Sequence, residues 1–116
     1  MLRKILSIFA SKSFGRYSVS QQAEDKIKKD WDKIRELEST KGASQIRQAL
    51  IFADRTLDFA LKDIAEGETM GERLKNSRDR FSPVLYNKIW ESHKIRNALV
   101  HEAGYEPPYF LVADSL

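Results

Sequence analysis

Eight apolar residues between positions 44 and 65 limit what this chain can fold into. Ile46, Ala49, Leu50, Ala53, Leu57, Ala60, Leu61 and Ile64 recur mostly at intervals of three and four, the spacing that lines side chains along one face of a helix. Ile51, Phe52 and Phe59 lie partly outside that stripe. Such a helix is apolar over more than one face, which makes it central, touching both the core and a partner. Ser44 is its expected N-cap, because a serine hydroxyl accepts a bond from an otherwise orphaned backbone N–H.

The neighbouring segments supply the core side. Residues 20–39 set Ala23, Ile27, Trp31 (or Asp30), Ile34 and Leu37 between charged positions, predicting a first amphipathic helix that stops within 40–43, at Gly42. Gly67, Glu68 and Thr69 read as a turn, and Thr69 with Glu72 as a capping box opening a short helix over 70–76. Ser82 and Pro83 then read as the N-cap and first position of a long helix. Its second half, residues 90–102, contains neither glycine nor proline, and Gly104 ends it. Pro107 and Pro108 block a further helix start, so Tyr105, Tyr109, Phe110 and Leu111 are expected to fold back onto the bundle. The fold expected is all-α: a small up-and-down bundle of about four helices with a shortened C-terminal end.

With 116 residues the chain makes one domain with a modest core, and 41% hydrophobic against 32% charged residues fits a globular bundle. The net charge of +3 is unevenly placed. Arg3, Lys4, Lys12 and Arg16 stand in the first twenty residues without an acid, while the rest of the chain holds 16 basic and 17 acidic residues. Any affinity for nucleic acid must therefore come from a local patch rather than from bulk charge. Residues 1–19 read as a basic, apolar leader or N-terminal helix, and 20–116 as the helical domain. Residues 1–14 are too short and too charged to span a bilayer. They suit a helix packed on the body or on a partner, an anionic membrane surface, or a targeting segment. The expected location is cytoplasmic, with the membrane contact, if made, peripheral. Without cysteine there is no disulfide frame, and two histidines eight apart are a poor metal set, so no metal or cofactor is expected.

The chemistry-bearing residues gather on the long helix. Leu85, Ile89, Ile95 and Leu99 fall on one side, and Trp90, His93, Asn97 and His101 form a second stripe with Arg96 on its border. A histidine exchanges protons near neutral pH. An arginine grips a phosphate through two parallel bonds and stabilises developing charge there. With an asparagine to orient one of them, this is a set for cutting RNA without a metal, the 2′-hydroxyl being the nucleophile. Arg96 and His101 are five apart, so their side chains diverge by about 140° on one helix. A second copy packed antiparallel across a two-fold axis would bring two such pairs around one cleft.

The run Arg96-Asn97-Ala98-Leu99-Val100-His101 resembles the RNxxxH motif of the HEPN superfamily of all-α domains. The segments 53–58 and 69–75 resemble a small bacterial HEPN-like family of uncharacterised proteins, and the likeness covers roughly residues 31–106. Many HEPN members are dimeric, metal-independent ribonucleases of toxin–antitoxin, antiphage and RNA-processing systems. The resemblance implies RNA as substrate, a homodimer through the 90–101 helix face, and an antitoxin or nucleotidyltransferase as partner. It implies Arg96, Asn97 and His101 as catalytic residues, with His93 a helper or interface residue. HEPN domains usually carry another helix after the motif; here a short segment, the N-terminal helix or a second subunit would have to cover that face.

Further residues carry two readings each. Asp54 and Asp58, four apart beside Arg55, read most simply as a solvated acidic pair or as partners of neighbouring lysines. The functional reading makes Asp54 a carboxylate that orients Arg96 or His101, with Asp58 in support. Arg73, Lys75, Arg78 and Arg80 form either a phosphate-binding rim for RNA or a solvated loop. The motif itself has competing readings: a non-catalytic dimerisation or adaptor module, or a nucleotide-binding protein using Arg96 and the 73–80 rim without cutting.

Overall fold

Two long helices lie antiparallel and carry the rest. In the computed structural model, which describes residue 2 and residues 20–116, helix α1 spans Gln21–Ser39 and helix α2 spans Ala43–Ile64. Ser20 caps α1, accepting the Ala23 N–H at 3.2 Å. The same residue donates its own N–H and hydroxyl to Asp63 at 3.0 and 2.7 Å, which fastens the start of α1 to the end of α2. The connection is short because Lys41 takes the left-handed conformation, φ 55°, sparsely populated outside glycine. Gly42 follows in extended geometry and is the N-cap. Helix α2 thus opens two residues earlier than Ser44 as N-cap would require. The Gly42 carbonyl accepts the Ile46 N–H at 2.9 Å, and Ser44 sits in the first turn, accepting from Gln48 at 3.2 Å.

Helix α3 spans Met70–Asn76, a 3₁₀ turn covers Arg78–Arg80, and α4 spans Pro83–His101. Thr69 caps α3, accepting the Glu72 N–H at 3.1 Å, and the Glu72 carboxylate reaches back one residue past the N-cap, accepting the Glu68 N–H at 2.7 Å, a variant of the expected capping box. Ser82 accepts the Leu85 N–H at 3.2 Å, with Pro83 as the first helical residue. Substituting Ser82→Ala leaves that N–H without its acceptor and is expected to cost about 1 kcal/mol. Urea denaturation should show a lowered midpoint at unchanged slope.

The C-terminus departs from expectation. Instead of an irregular return, α5 spans Tyr109–Ser115, with Pro108 as its N-cap. A proline at that point gives up an N–H that no helical bond uses, so it starts the helix rather than blocking it. Helix α5 packs on α2 and α4 and buries Val112 and Leu116, while Tyr109 and Phe110, expected to fold inward, are 40% and 66% exposed.

Helix α2 touches α1, α3, α4 and α5, the central position its broad stripe requires. Ile27, Ile34, Leu50, Leu57, Leu61 and Ile89 are each at most 1% exposed, and burying a side chain of that size contributes about 1.5–3 kcal/mol. On α1 the inward position between Ile27 and Ile34 belongs to Asp30, with Trp31 half-buried. Asp30 accepts from the Thr56 hydroxyl at 2.8 Å and pairs with Lys26 at 2.9 Å, so its buried carboxylate is satisfied. Leu2 is buried in the same core; the other readings of residues 1–19 lie outside the described residues. Among the described residues no strand forms, and no helix is long and apolar enough to cross a membrane.

Candidate functional site

The inner side of α4 carries polar residues where an ordinary core helix would be apolar. Its buried residues are Tyr86, Ile89, Ser92 and His93. A buried polar group without a partner costs stability, so each polar one must be matched. Ser92 donates to the Ser115 carbonyl at 2.9 Å and so fixes α5. His93 finds its match on α2, where Asp54 stands at an inward position four residues after Leu50 and three before Leu57.

Asp54 is the hub of the site and is 1% exposed. Both of its carboxylate oxygens lie 3.1 Å from His93 Nδ1. Arg96 Nε stands 3.5 Å from Asp54 Oδ2, at ion-pair distance, and makes no hydrogen bond of its own although it is buried. The guanidinium Nη1 donates to Asn97 Oδ1 at 2.9 Å, and Asn97 Nδ2 lies 3.3 Å from His93 Nε2. Trp90 meets the His93 ring edge-on at 5.9 Å between centroids. These groups form one wall of an open groove of about 490 Å³, faced by Met70 and Gly71 of α3, with Lys94, Arg96 and Asn97 along it.

Beside the groove, Asp58 holds Arg73 in a two-pronged ion pair of 2.7 and 2.9 Å. Arg73 also donates to the Gly67 carbonyl at 2.7 Å. Gly67 has φ 148°, and a Cβ there would stand 2.9 Å from the Arg73 backbone nitrogen, so the contact needs glycine. The Arg73–Asp58–Gly67 cluster ties α3 to α2 through the 65–69 connection.

Several expectations change. Asp54 is buried and Asp58 half-buried; among the described residues neither pairs with a lysine, and each is bonded to another helix, Asp54 to His93 of α4 and Asp58 to Arg73 of α3. Arg73 is not part of a phosphate rim, because its side chain is 9% exposed and its guanidinium is taken up by Asp58 and Gly67. Of the remaining rim residues, Lys75 and Arg78 line a second groove of about 470 Å³ with Phe81 and Tyr86. Arg78 lies over the Tyr86 ring at 5.5 Å, and Arg80 ends the 3₁₀ turn. His93 does not stand on the surface beside Asn97 and His101; it is 7% exposed.

His101 is the last residue of α4, exposed, and makes no side-chain hydrogen bond among the described residues. It is not among the residues lining the Arg96 groove. Within one chain the structure thus gathers Asp54, His93, Arg96 and Asn97 and leaves His101 apart. Among the described residues no three histidines or carboxylates converge as a metal-binding set. Compared with protein-family models, with curated proteins and with solved structures, the chain matches none.

Proposed function

We propose that this chain is a dimeric, metal-independent endoribonuclease, the activity that its likeness to HEPN domains implies. The observation that carries the reading is the state of Arg96. Its side chain is 25% exposed and lines a groove, yet its guanidinium is held from behind by Asp54 and from the side by Asn97, a preorganised cation of the kind that binds a phosphate. His101 lies five residues further along α4 with its imidazole open to solvent, and Val100 beside it is 45% exposed. A second copy packed on this end of the helix would cover Val100 and set Arg96 and His101 of both chains around one scissile phosphate.

In that cleft one His101 takes the proton of the 2′-hydroxyl as its oxygen attacks phosphorus. The other gives a proton to the departing 5′-oxygen as the P–O5′ bond breaks. Arg96 holds the phosphate and its developing charge, and Asn97 keeps Arg96 in place. The products are a 2′,3′-cyclic phosphate and a 5′-hydroxyl. An enzyme of this kind works in the cytoplasm and is held in check by a partner protein.

The test is incubation of the purified chain with a single-stranded RNA in the presence of a chelator, with end-group analysis of the fragments. Cyclic-phosphate ends that disappear with a 2′-deoxy substitution at the cleaved position support the reading. Intact RNA, with a dimer present in solution, would favour the non-catalytic adaptor instead.

A further inference from the structure

Within the cluster of Asp54, His93, Arg96 and Asn97, chemistry fixes the direction of every hydrogen bond. Arginine only donates, so the Asn97 atom 2.9 Å from Arg96 Nη1 is the carbonyl oxygen. The Asn97 amide nitrogen, with its two protons, therefore faces His93 Nε2 at 3.3 Å. Nε2 must meet it with a lone pair. The one ring proton then sits on Nδ1, where Asp54 accepts it at 3.1 Å. Charge balance agrees, because buried Asp54 already has Arg96 at 3.5 Å as counter-ion. A second proton on His93 would push an N–H against the Asn97 amide protons.

The geometry points to His93 as a positioning residue: held by Asp54 as the neutral Nδ1–H tautomer, it fixes the Asn97 amide so that its oxygen holds Arg96 at the groove. The inference rests on the ribonuclease reading for what Arg96 does, but not for how Arg96 is held. The sense of the chain cannot be reversed. An Nε2–H ring would turn the amide oxygen toward His93 and its nitrogen toward the guanidinium, donor against donor. The charged groups nearest the ring are Asp54 from α2 and Arg96 from α4, and Asp58 of α2 and Lys94 of α4 line the same groove. Helix α3 faces the groove with Met70 and Gly71, and its Arg73 is taken up by Asp58.

Nitrogen-15 NMR of the imidazoles tests this on the folded full chain at neutral pH, with His101→Gln assigning the two rings. We expect His93 to carry its proton on Nδ1 with Nε2 bare; an Nε2–H ring or a doubly protonated one overturns the proposal. Asn97→Asp supplies a second test, since the carboxylate puts an acceptor where the amide protons were. His93 Nε2 should then gain a proton, and a ring that keeps Nε2 bare breaks the proposed coupling. On RNA, His93→Phe keeps an aromatic ring against Trp90 and removes both nitrogens. It should lower kcat by about 100-fold with a smaller change in KM, the size of effect that misplacing a reacting group produces; an unchanged kcat denies the positioning role. A wild-type chain that does not cleave RNA sinks the ribonuclease reading, while the NMR results still decide the hydrogen-bond chain by themselves.

Discussion

Replacing Asp54 with alanine is expected to lower the unfolding free energy by about 3–5 kcal/mol, the cost of removing one partner from a buried ion pair. Asp54 is 1% exposed, and two groups depend on it. His93 loses the acceptor for its Nδ1 proton, and buried Arg96 Nε, which has no hydrogen bond, loses its counter-charge. Domains of this size are stable by about 5–15 kcal/mol, so the loss is a large share of the whole. Asp54→Asn should cost less, since an amide oxygen still accepts from His93 while the negative charge is gone. Urea denaturation of the two variants separates the hydrogen bond from the charge. Because the pair is shielded from solvent ions, the difference should persist in high salt. A cost below about 1 kcal/mol for Asp54→Ala, typical of a solvent-exposed pair, would mean that the carboxylate does not hold the site together.

Much of the architecture was legible because helix signals are local. The Ser82–Pro83 start, the Thr69–Glu72 box and the doubly apolar stripe of α2 each depend on a few neighbouring residues, and each appears where expected. The α5 helix was missed because prolines were read only as blocks, although Pro108 stands where a helix has no N–H to lose. The site was only half legible. Arg96 and Asn97 stand out from their motif, but their anchor is an aspartate on another helix, 42 residues from Arg96 in the sequence. One available signal was passed over. Asp54 falls within the apolar register of Leu50, Leu57 and Leu61, and His93 falls four after Ile89. An acid and an imidazole at inward positions on two helices are each costly alone and cheap together, which is a reason to pair them before seeing them. Arg73 misled for the same reason: as a cation in a basic run it reads as solvated, and only the fold brings Asp58 to it.

The same logic decides which variant tests catalysis cleanly. Arg96→Ala leaves buried Asp54 without its counter-ion, so lost cleavage would mix chemistry with misfolding. Arg96→Lys keeps a charge but removes the two-pronged grip on phosphate and the bond to Asn97. His101→Ala is cleaner still. The residue is exposed, ends its helix and makes no side-chain hydrogen bond among the described residues, so stability should change by no more than about 0.5 kcal/mol. Cleavage, by contrast, should fall by about 10²–10⁴-fold, the contribution of a positioned proton-transfer group. If the chain is the proposed dimer, gel filtration should show the variant assembling as wild type does. Two copies related by a two-fold axis would place two Arg96 and two His101 around one cleft, so mixing inactive subunits carries further information. A heterodimer of Arg96→Lys and His101→Ala subunits keeps one intact arginine and one intact histidine in the shared cleft. It should cleave faster than the His101→Ala homodimer, which keeps no histidine in the cleft, yet slower than wild type, because one of the two proton transfers then lacks its imidazole. Cleavage that survives His101→Ala, or a dimer that dissociates with it, would instead make this end of α4 an assembly surface and leave the phosphate to another part of the chain.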